Sequence, residues 1–459
     1  MSRTVDEQKI ADLTAKPRQA NSRPAFTMIL PTSPQVGTPN REFLLETPTE
    51  GVSHIATMAK LAGWNVKIRD LRDGEDFEDA CQDAAKRGGV LAMPVFIDSY
   101  PVNVRILERV LELNPEIVSV VGGALISSLP ETLIADLRPD YTILGEGEAT
   151  LLELLDYIEN GGTPAGATGI AGLGLFLDGA VHFTPKRLQL MDLDVLPVPD
   201  LFLFPTVQRN PVIPELGITT SRGCYGRCSF CFLNMEKLSY KSPERFELEV
   251  ADLVAKHSIR YFYINDLTFT SNLERTYRIC DVLKKFNLVW TCSTRVERIQ
   301  PEVLRYMHEC GCRDIWYGVE SVDQTVLDLA DKMTKVEEIE YAVSETVKAG
   351  IKVAANLIVG LPGESEESLR KMMEFCRNSE VIPISIKYLT PFPGTKIYDM
   401  AVERGYIKDP IAYLGTLAER KVNDASDEII NLTELPEPLL RAAFDDLLEI
   451  RKERLKEFV

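Results

Sequence analysis

"SRGCYGRCSFCFLN", residues 221–234, sets Cys224, Cys228 and Cys231 at successive offsets of four and three, with Phe230 just before the last. Three thiols in so short a loop are suited to holding metal. A structural zinc site wants a fourth Cys or His, usually in a paired spacing. The nearest histidines, His182 and His257, offer no such pairing. Three thiolates can instead hold three irons of a 4Fe-4S cluster and leave the fourth iron open. The missing fourth ligand is a defect for structural zinc and an asset for a cluster that must bind a substrate.

The chain around this loop has a regular rhythm. From 211 to 405, short apolar runs alternate with amphipathic stretches: "ELGITTS", "IRYFYIN", "LVWTCST", "DIWYGVE", "KVAANLIVG" and "PISIKYLT" read as strands, and "PERFELEVADLVAKHS" and "PEVLRYMHECG" as helices between them. Repeated β–α units of this kind predict a partial (β/α)6 barrel, whose working groups come from the strand carboxyl ends. The cysteine loop follows the first of these strands and so falls on that rim. Residues 406–459 end in "PEPLLRAAFDDLLEIRKERLKEF", an amphipathic helix expected to form a C-terminal helical cap.

Residues 26–160 carry an earlier series of five β–α units, from "FTMIL" to "ATLLELLDYIEN", which predicts a doubly wound, Rossmann-like α/β domain. Ligands of such sheets sit at the strand carboxyl ends. Two of those ends are glycine-rich: "VGGALISS" at 121–128 and "GEGE" at 145–148. Either alone reads as a tight turn; both on one edge point to a cofactor crevice. Residues 161–210 read as a linker with one hairpin turning at Asp178-Gly179. Residues 1–25 are polar and read as a flexible arm.

The bulk properties bound the partners. The 459 residues allow two or three domains, 45% hydrophobic and 26% charged residues are ordinary for a globular protein, and the net charge of −18 disfavours nucleic acid. No apolar run is long enough for an integral membrane segment, and the start lacks an apolar signal core, so a cytoplasmic location is expected. Of the nine cysteines, six are scattered, and the pair Cys310 and Cys312 suits joint ligation poorly because alternate residues of an extended segment face opposite ways.

"RGCYGRCSFC" resembles the Cys-x3-Cys-x-aromatic-Cys signature of the radical S-adenosylmethionine (SAM) enzymes. Further motifs follow in that family's order: "INDLTFT" after strand two, "STR" at strand three, "GVES" at strand four, "NLIVGLPGES" at strand five and "LTPFPGT" at strand six. The preceding domain resembles the cobalamin-binding domain of the cobalamin-dependent branch, and the likeness spans roughly 26–405. The resemblance implies that Cys224, Cys228 and Cys231 hold a 4Fe-4S cluster. It implies SAM contacts from Phe230, Asp266, Arg295, Glu320, Ser321, Ile358, Gly360 and Leu389, with Phe230 beside the adenine, Arg295 on the SAM carboxylate, Glu320 on the ribose, and Ile358, Gly360 and Leu389 as an adenine slot. For cobalamin it implies Ser99, Gly122, Gly123, Ala124, Gly145, Glu146, Gly147 and Glu148. One departure stands out: the Asp-x-His-x-x-Gly motif that supplies a cobalt-ligating histidine is absent, the first strand being followed by "PTSPQVGTPNREFLLETP", and His54, the domain's one histidine, falls in a predicted helix.

The activity implied by the resemblance is radical methylation of an unactivated carbon of a small-molecule, lipid or tetrapyrrole-type substrate, with a flavodoxin or ferredoxin as electron donor. In that chemistry one SAM methylates cobalamin and a second yields the 5′-deoxyadenosyl radical. Relatives that cyclise or rearrange without methyl transfer share the motifs. A methylthiotransferase acting on tRNA is disfavoured, since the amino-terminal domain has only Cys81. A cobalamin carrier or sensor with a structural metal site is the non-enzymatic alternative. The segment "NMEKLSY" and the 406–459 cap are candidate substrate-lining regions.

Overall fold

The computed structural model describes residues 3–32, 48–232, 237–419 and 429–458. The chain forms two compact units, Met1–Ile213 with Ala255–Ser258 and Asp409–Arg420, and Pro214–Val254 with Ile259–Lys408 and Lys421–Val459.

The first unit is built on strands β1 (Ala25–Leu30), β2 (Asn65–Asp70), β3 (Val90–Pro94), β4 (Val118–Gly122) and β5 (Tyr141–Ile143). They pair in parallel in the order β2-β1-β3-β4-β5. That is the doubly wound order expected when helical crossovers are right-handed and fall on both faces. Phe26 packs edge-on against Trp64, with ring centroids 6.5 Å apart, and both rings are buried. The hairpin β6 (Leu173–Leu177) and β7 (Ala180–Phe183) turns at Asp178-Gly179, both with positive φ, as a tight two-residue turn requires. It is more than a linker: β6 pairs antiparallel with β5, so the sheet has seven strands.

The amino-terminal arm is also more than an arm. Val5–Ala15 is a helix, α1, whose start is fixed by a capping box between Thr4 and Glu7. Ile10 is fully buried in a cluster with Met58, Ala149, Leu190, Leu193 and Val195. Glu7 accepts the backbone N–H groups of Met191 and Asp192 at 2.8 and 2.9 Å. A stretch that is polar on average is held by one apolar anchor and a capped first turn, features that mean composition conceals.

The second unit carries six parallel strands, β8 (Glu215–Ile218), β11 (Tyr261–Ile264), β12 (Val289–Thr294), β13 (Cys312–Glu320), β14 (Lys352–Val359) and β15 (Val381–Tyr388). Each is hydrogen-bonded to its successor in this series, giving the order β15-β14-β13-β12-β11-β8. This is the partial (β/α)6 barrel the rhythm predicts. Between its first two strands, β9 (Ser221–Arg222) and β10 (Ser239–Tyr240) form a short antiparallel ribbon. The expected cap divides: Pro410–Glu419 clusters with the first unit, whereas Glu437–Phe458 lies beside β15, where Phe444 stacks on Tyr388 with ring centroids 4.0 Å apart. No helix among the described residues is long and apolar enough to cross a membrane.

Candidate active site

The β9–β10 ribbon closes the neck of the cysteine loop. At that neck Gly223 has φ +88°, and a Cβ there would lie 2.2 Å from the Lys237 carbonyl oxygen, so only glycine lets the two sides of the loop meet. The far side is pinned by Ser229, whose N–H donates to the Ala330 carbonyl at 2.9 Å and whose carbonyl accepts from Ile397 N–H at 3.2 Å. Cys224 and Cys228 are half-buried and Cys231 is exposed; all three are free thiols. The donor set fits a cluster held by three thiolates.

Asp266 is buried at the approach to this loop. Its carboxylate accepts Thr220 N–H and Ser221 N–H at 2.6 and 2.9 Å on one oxygen, and the Thr220 and Ser221 hydroxyls at 2.6 Å each on the other. With its acceptor positions filled and only 1% of its surface exposed, it is a clamp on the chain entering the cysteine loop. The same motif does touch the thiols through Thr268, whose Oγ1 lies 3.4 Å from Cys224 Sγ.

Arg295 is held by several partners at once. Its Nε and Nη2 grip the Glu297 carboxylate at 3.1 and 2.7 Å, and Nη2 also donates to the Lys332 carbonyl and the Thr334 hydroxyl. Its Nη1 donates to Cys228 Sγ at 3.4 Å. Burial alone would push the Glu297 carboxyl upward, but the hydrogen bonds from Arg295 and Thr334 outweigh it and hold the group below its ordinary value. The guanidinium thus joins Glu297, the Lys332–Thr334 segment and a cysteine sulfur.

Glu320 ends β13 with φ +64°, a costly conformation for a non-glycine residue, at a point where the register against β14 shifts. Its Oε1 pairs with Lys332 Nζ at 3.1 Å, both side chains largely buried. Gly318 leaves the room they occupy, since a Cβ there would lie 2.7 Å from Glu320 Oε1 and 3.0 Å from Lys332 Nζ. The same ammonium sits 6.0 Å from the Phe230 ring centroid, so Phe230, Glu320 and Lys332 converge beside the cysteines. Ser321 is buried and accepts Asp323 N–H at 3.3 Å.

At strands five and six, Leu389 N–H donates to the Val359 carbonyl at 2.8 Å, which seats Leu389 against Gly360. A Cβ on Gly360 would meet Leu389 Cβ at 3.6 Å. Ile358 is half-buried on this strand end. Behind them Glu364 is almost fully buried; its Oε2 accepts Gly360 N–H at 2.6 Å while Oε1 has no partner. Burial pushes its carboxyl up to about 8 even though the Gly360 N–H pulls the other way.

In the first unit the expected cofactor residues follow three adjacent strands. Ser99 lies buried after β3. Gly122 ends β4, and Gly123 just beyond it, at φ +118°, could not carry a Cβ without crowding the Val95 backbone at 3.0 Å. Ala124 starts the helix Ala124–Ser128, and Ser127 Oγ accepts Gly145 N–H at 3.0 Å, tying the two glycine turns together. A Cβ on Gly145 would meet nothing within 4 Å, so that turn faces open space. Gly147 caps the helix Glu148–Glu159, whose Glu148 is buried. Glu146 is engaged elsewhere, accepting Leu190 N–H at 2.6 Å. His54 is buried in the helix Glu50–Leu61, its ring 3.6 Å from Glu50. Most of the segment after β1, where a histidine motif would stand, and the first three residues of "NMEKLSY" lie outside the described residues.

Residues 40–155 match the B12 binding domain family, and residues 218–376 match the radical SAM superfamily. The chain is a cobalamin-dependent radical SAM enzyme. Among proteins similar to this radical SAM enzyme is an uncharacterized methyltransferase of Pyrococcus horikoshii, 27% identical over 368 residues that span 77% of this chain and 78% of that protein. The anaerobic magnesium-protoporphyrin IX monomethyl ester cyclase of Rubrivivax gelatinosus is 27% identical over 309 residues, 64% of this chain but 55% of the cyclase. The radical SAM methyltransferase TsrM of Kitasatospora setae, solved with cobalamin and a 4Fe-4S cluster bound, superposes with a TM-score of 0.68 over 83% of this chain and 75% of its own, at 16% identity, which establishes a shared fold.

Sequence reasoning missed Glu297, Lys332, Thr268 and Glu364. Thr268 and Glu364 stand inside quoted motifs, and Glu297 two residues beyond Arg295. Lys332 carries no signal, because it reaches Glu320 from the far end of an intervening helix, Gln324–Leu329.

Proposed function

We propose that this enzyme is a C-methyltransferase acting on an unactivated carbon of a small molecule. The reading is carried by the three-thiol loop, open at Cys231 and ringed by buried, internally paired charges. Bound there and in the first unit, a 4Fe-4S cluster, SAM and cobalamin would supply a radical able to abstract hydrogen and a methyl group to transfer.

The residues present suit these groups. Cys224, Cys228 and Cys231 would hold the cluster. Phe230, Glu320 and Ser321 on one side, and Ile358, Gly360 and Leu389 on the other, would receive SAM. Lys332 fixes Glu320 in its strained conformation, and burial keeps water from the pair. In the first unit Ser99, Gly122, Gly123, Ala124, Gly145, Gly147 and Glu148 supply a low, mostly backbone rim suited to a broad flat ring. A flavodoxin or ferredoxin is the proposed electron source, and a cytoplasmic location is part of the same reading.

Methyl transfer is favoured over cyclisation by the extent of likeness. The match spans 78% of the Pyrococcus methyltransferase but 55% of the cyclase. Anaerobic turnover in cell extract with methyl-labelled SAM tests the proposal. S-adenosylhomocysteine and 5′-deoxyadenosine should accumulate together, with label in a new product. Release of 5′-deoxyadenosine and methionine without S-adenosylhomocysteine would point to cyclisation or rearrangement. One zinc per chain and no iron would overturn both.

A further inference from the structure

We infer that Arg295, held by Glu297, sets the reduction potential of the centre bound at the cysteine loop. The inference rests on the reading of that loop as an iron–sulfur site and adds to it a positioning pair with an electronic effect.

The geometry is specific. Arg295 presents Nη1 to Cys228 Sγ at 3.4 Å, with only 5% of the residue exposed. Every other direction of the guanidinium is held: Nε and Nη2 by Glu297, Nη2 also by the Lys332 carbonyl and Thr334. Glu297 is itself fixed by the Thr334 hydroxyl and accepts from the Tyr225 hydroxyl at 3.3 Å. The loop is shaped to admit this contact, because a Cβ on Gly226 would lie 2.7 Å from Arg295 Nη1 and 3.4 Å from Cys224 Sγ. A buried fork locked by a bidentate carboxylate cannot swing away from the sulfur.

Hydrogen bonds to cysteine sulfur and nearby charge are among the features that tune an iron–sulfur centre. A donated N–H and a positive charge favour the state with one more electron, so Arg295 raises the potential. Glu297 acts twice: it holds the donor in place and offsets part of its charge. The two residues therefore push the potential in opposite directions, although they are bonded to each other. A purely structural pair would not give opposed signs.

The test is an anaerobic redox titration of the reconstituted full-length protein, following the reduced cluster by electron paramagnetic resonance, with iron counted in every sample. Arg295→Gln should shift the midpoint negative by about 59 mV or more, a tenfold loss of reduced cluster at fixed applied potential. Glu297→Gln, which keeps the shape and an acceptor oxygen for the guanidinium, should shift it positive. Midpoints that coincide with the parent protein, or that move in the same direction, would overturn the inference. If Arg295→Gln fails to retain iron, the sign of the Glu297→Gln shift decides alone: positive supports, zero or negative refutes. Absence of iron from the parent protein would instead sink the cluster reading, so the two failures are distinguishable.

Discussion

Asp266 ties the end of the first barrel strand to the cysteine loop by accepting both the N–H and the hydroxyl of Ser221, at 2.9 and 2.6 Å, three residues before Cys224. The matching pair of bonds from Thr220 makes one buried carboxylate the anchor of the whole approach to the loop. Asp266→Asn removes the charge and two good acceptor positions. Hydrogen bonds to charged groups contribute about 1.5–3 kcal/mol each, so a loss of about 3 kcal/mol is expected. Thermal unfolding of the metal-free protein should show a lower midpoint, and iron uptake should fall with it. An unchanged midpoint with full iron would contradict the clamp.

The three loop cysteines should behave as one set and the other close pair as bystanders. Alanine at Cys224, Cys228 or Cys231 should reduce iron from about four per chain to below about one, with loss of the absorbance near 400 nm. Alanine at Cys310 or Cys312, which are 1% and 2% exposed at a helix end and a strand start, should leave iron unchanged. Equal iron loss from both groups would mean that the loop is not the site.

Glu364 predicts a pH dependence of stability. Its carboxyl is pushed up to about 8 by burial in the folded chain, whereas an unfolded glutamate titrates near about 4.3. A raised folded value means that the folded state holds the proton more tightly. This contribution is fully present below about pH 4 and is lost as pH rises through about 8. Within that window it costs up to about 1.4 kcal/mol per pH unit. Glu364→Gln keeps the Gly360 contact without a titratable proton, so it should flatten the decline between pH 5 and 8 in denaturation series. Parallel curves for the two proteins would contradict the buried neutral acid.

Helix α1 predicts that the amino terminus is a working part of the first unit. Ile10 is fully buried against Met58 and Leu193, and truncating such a side chain to alanine typically costs about 2–5 kcal/mol. Ile10→Ala should lower the unfolding midpoint and raise protease sensitivity near residue 15. An indifferent variant would restore the picture of a loose arm.

Much of this protein is readable along the chain. The two series of β–α units, the six-strand order, the hairpin at Asp178-Gly179 and the glycine turns at 122–123 and 145–147 follow from apolar periodicity and turn chemistry, which are local properties. The cysteine spacing is local too, and it specified the donor set before any fold was known. Helix α1 lay at the margin: its Thr4-x-x-Glu7 cap is a local signal, but its single buried anchor gains meaning only against the residues it docks on.

What only the tertiary structure decided is the partner of each buried charge. Asp266 holds residues 220 and 221, and Arg295 meets Glu297 and Cys228, pairings that no spacing in the sequence gives. A strand carries its side chains to a known edge by its own geometry. Which donors surround a carboxylate there depends on loops arriving from dozens of residues away, and in a low-dielectric interior those neighbours fix its role.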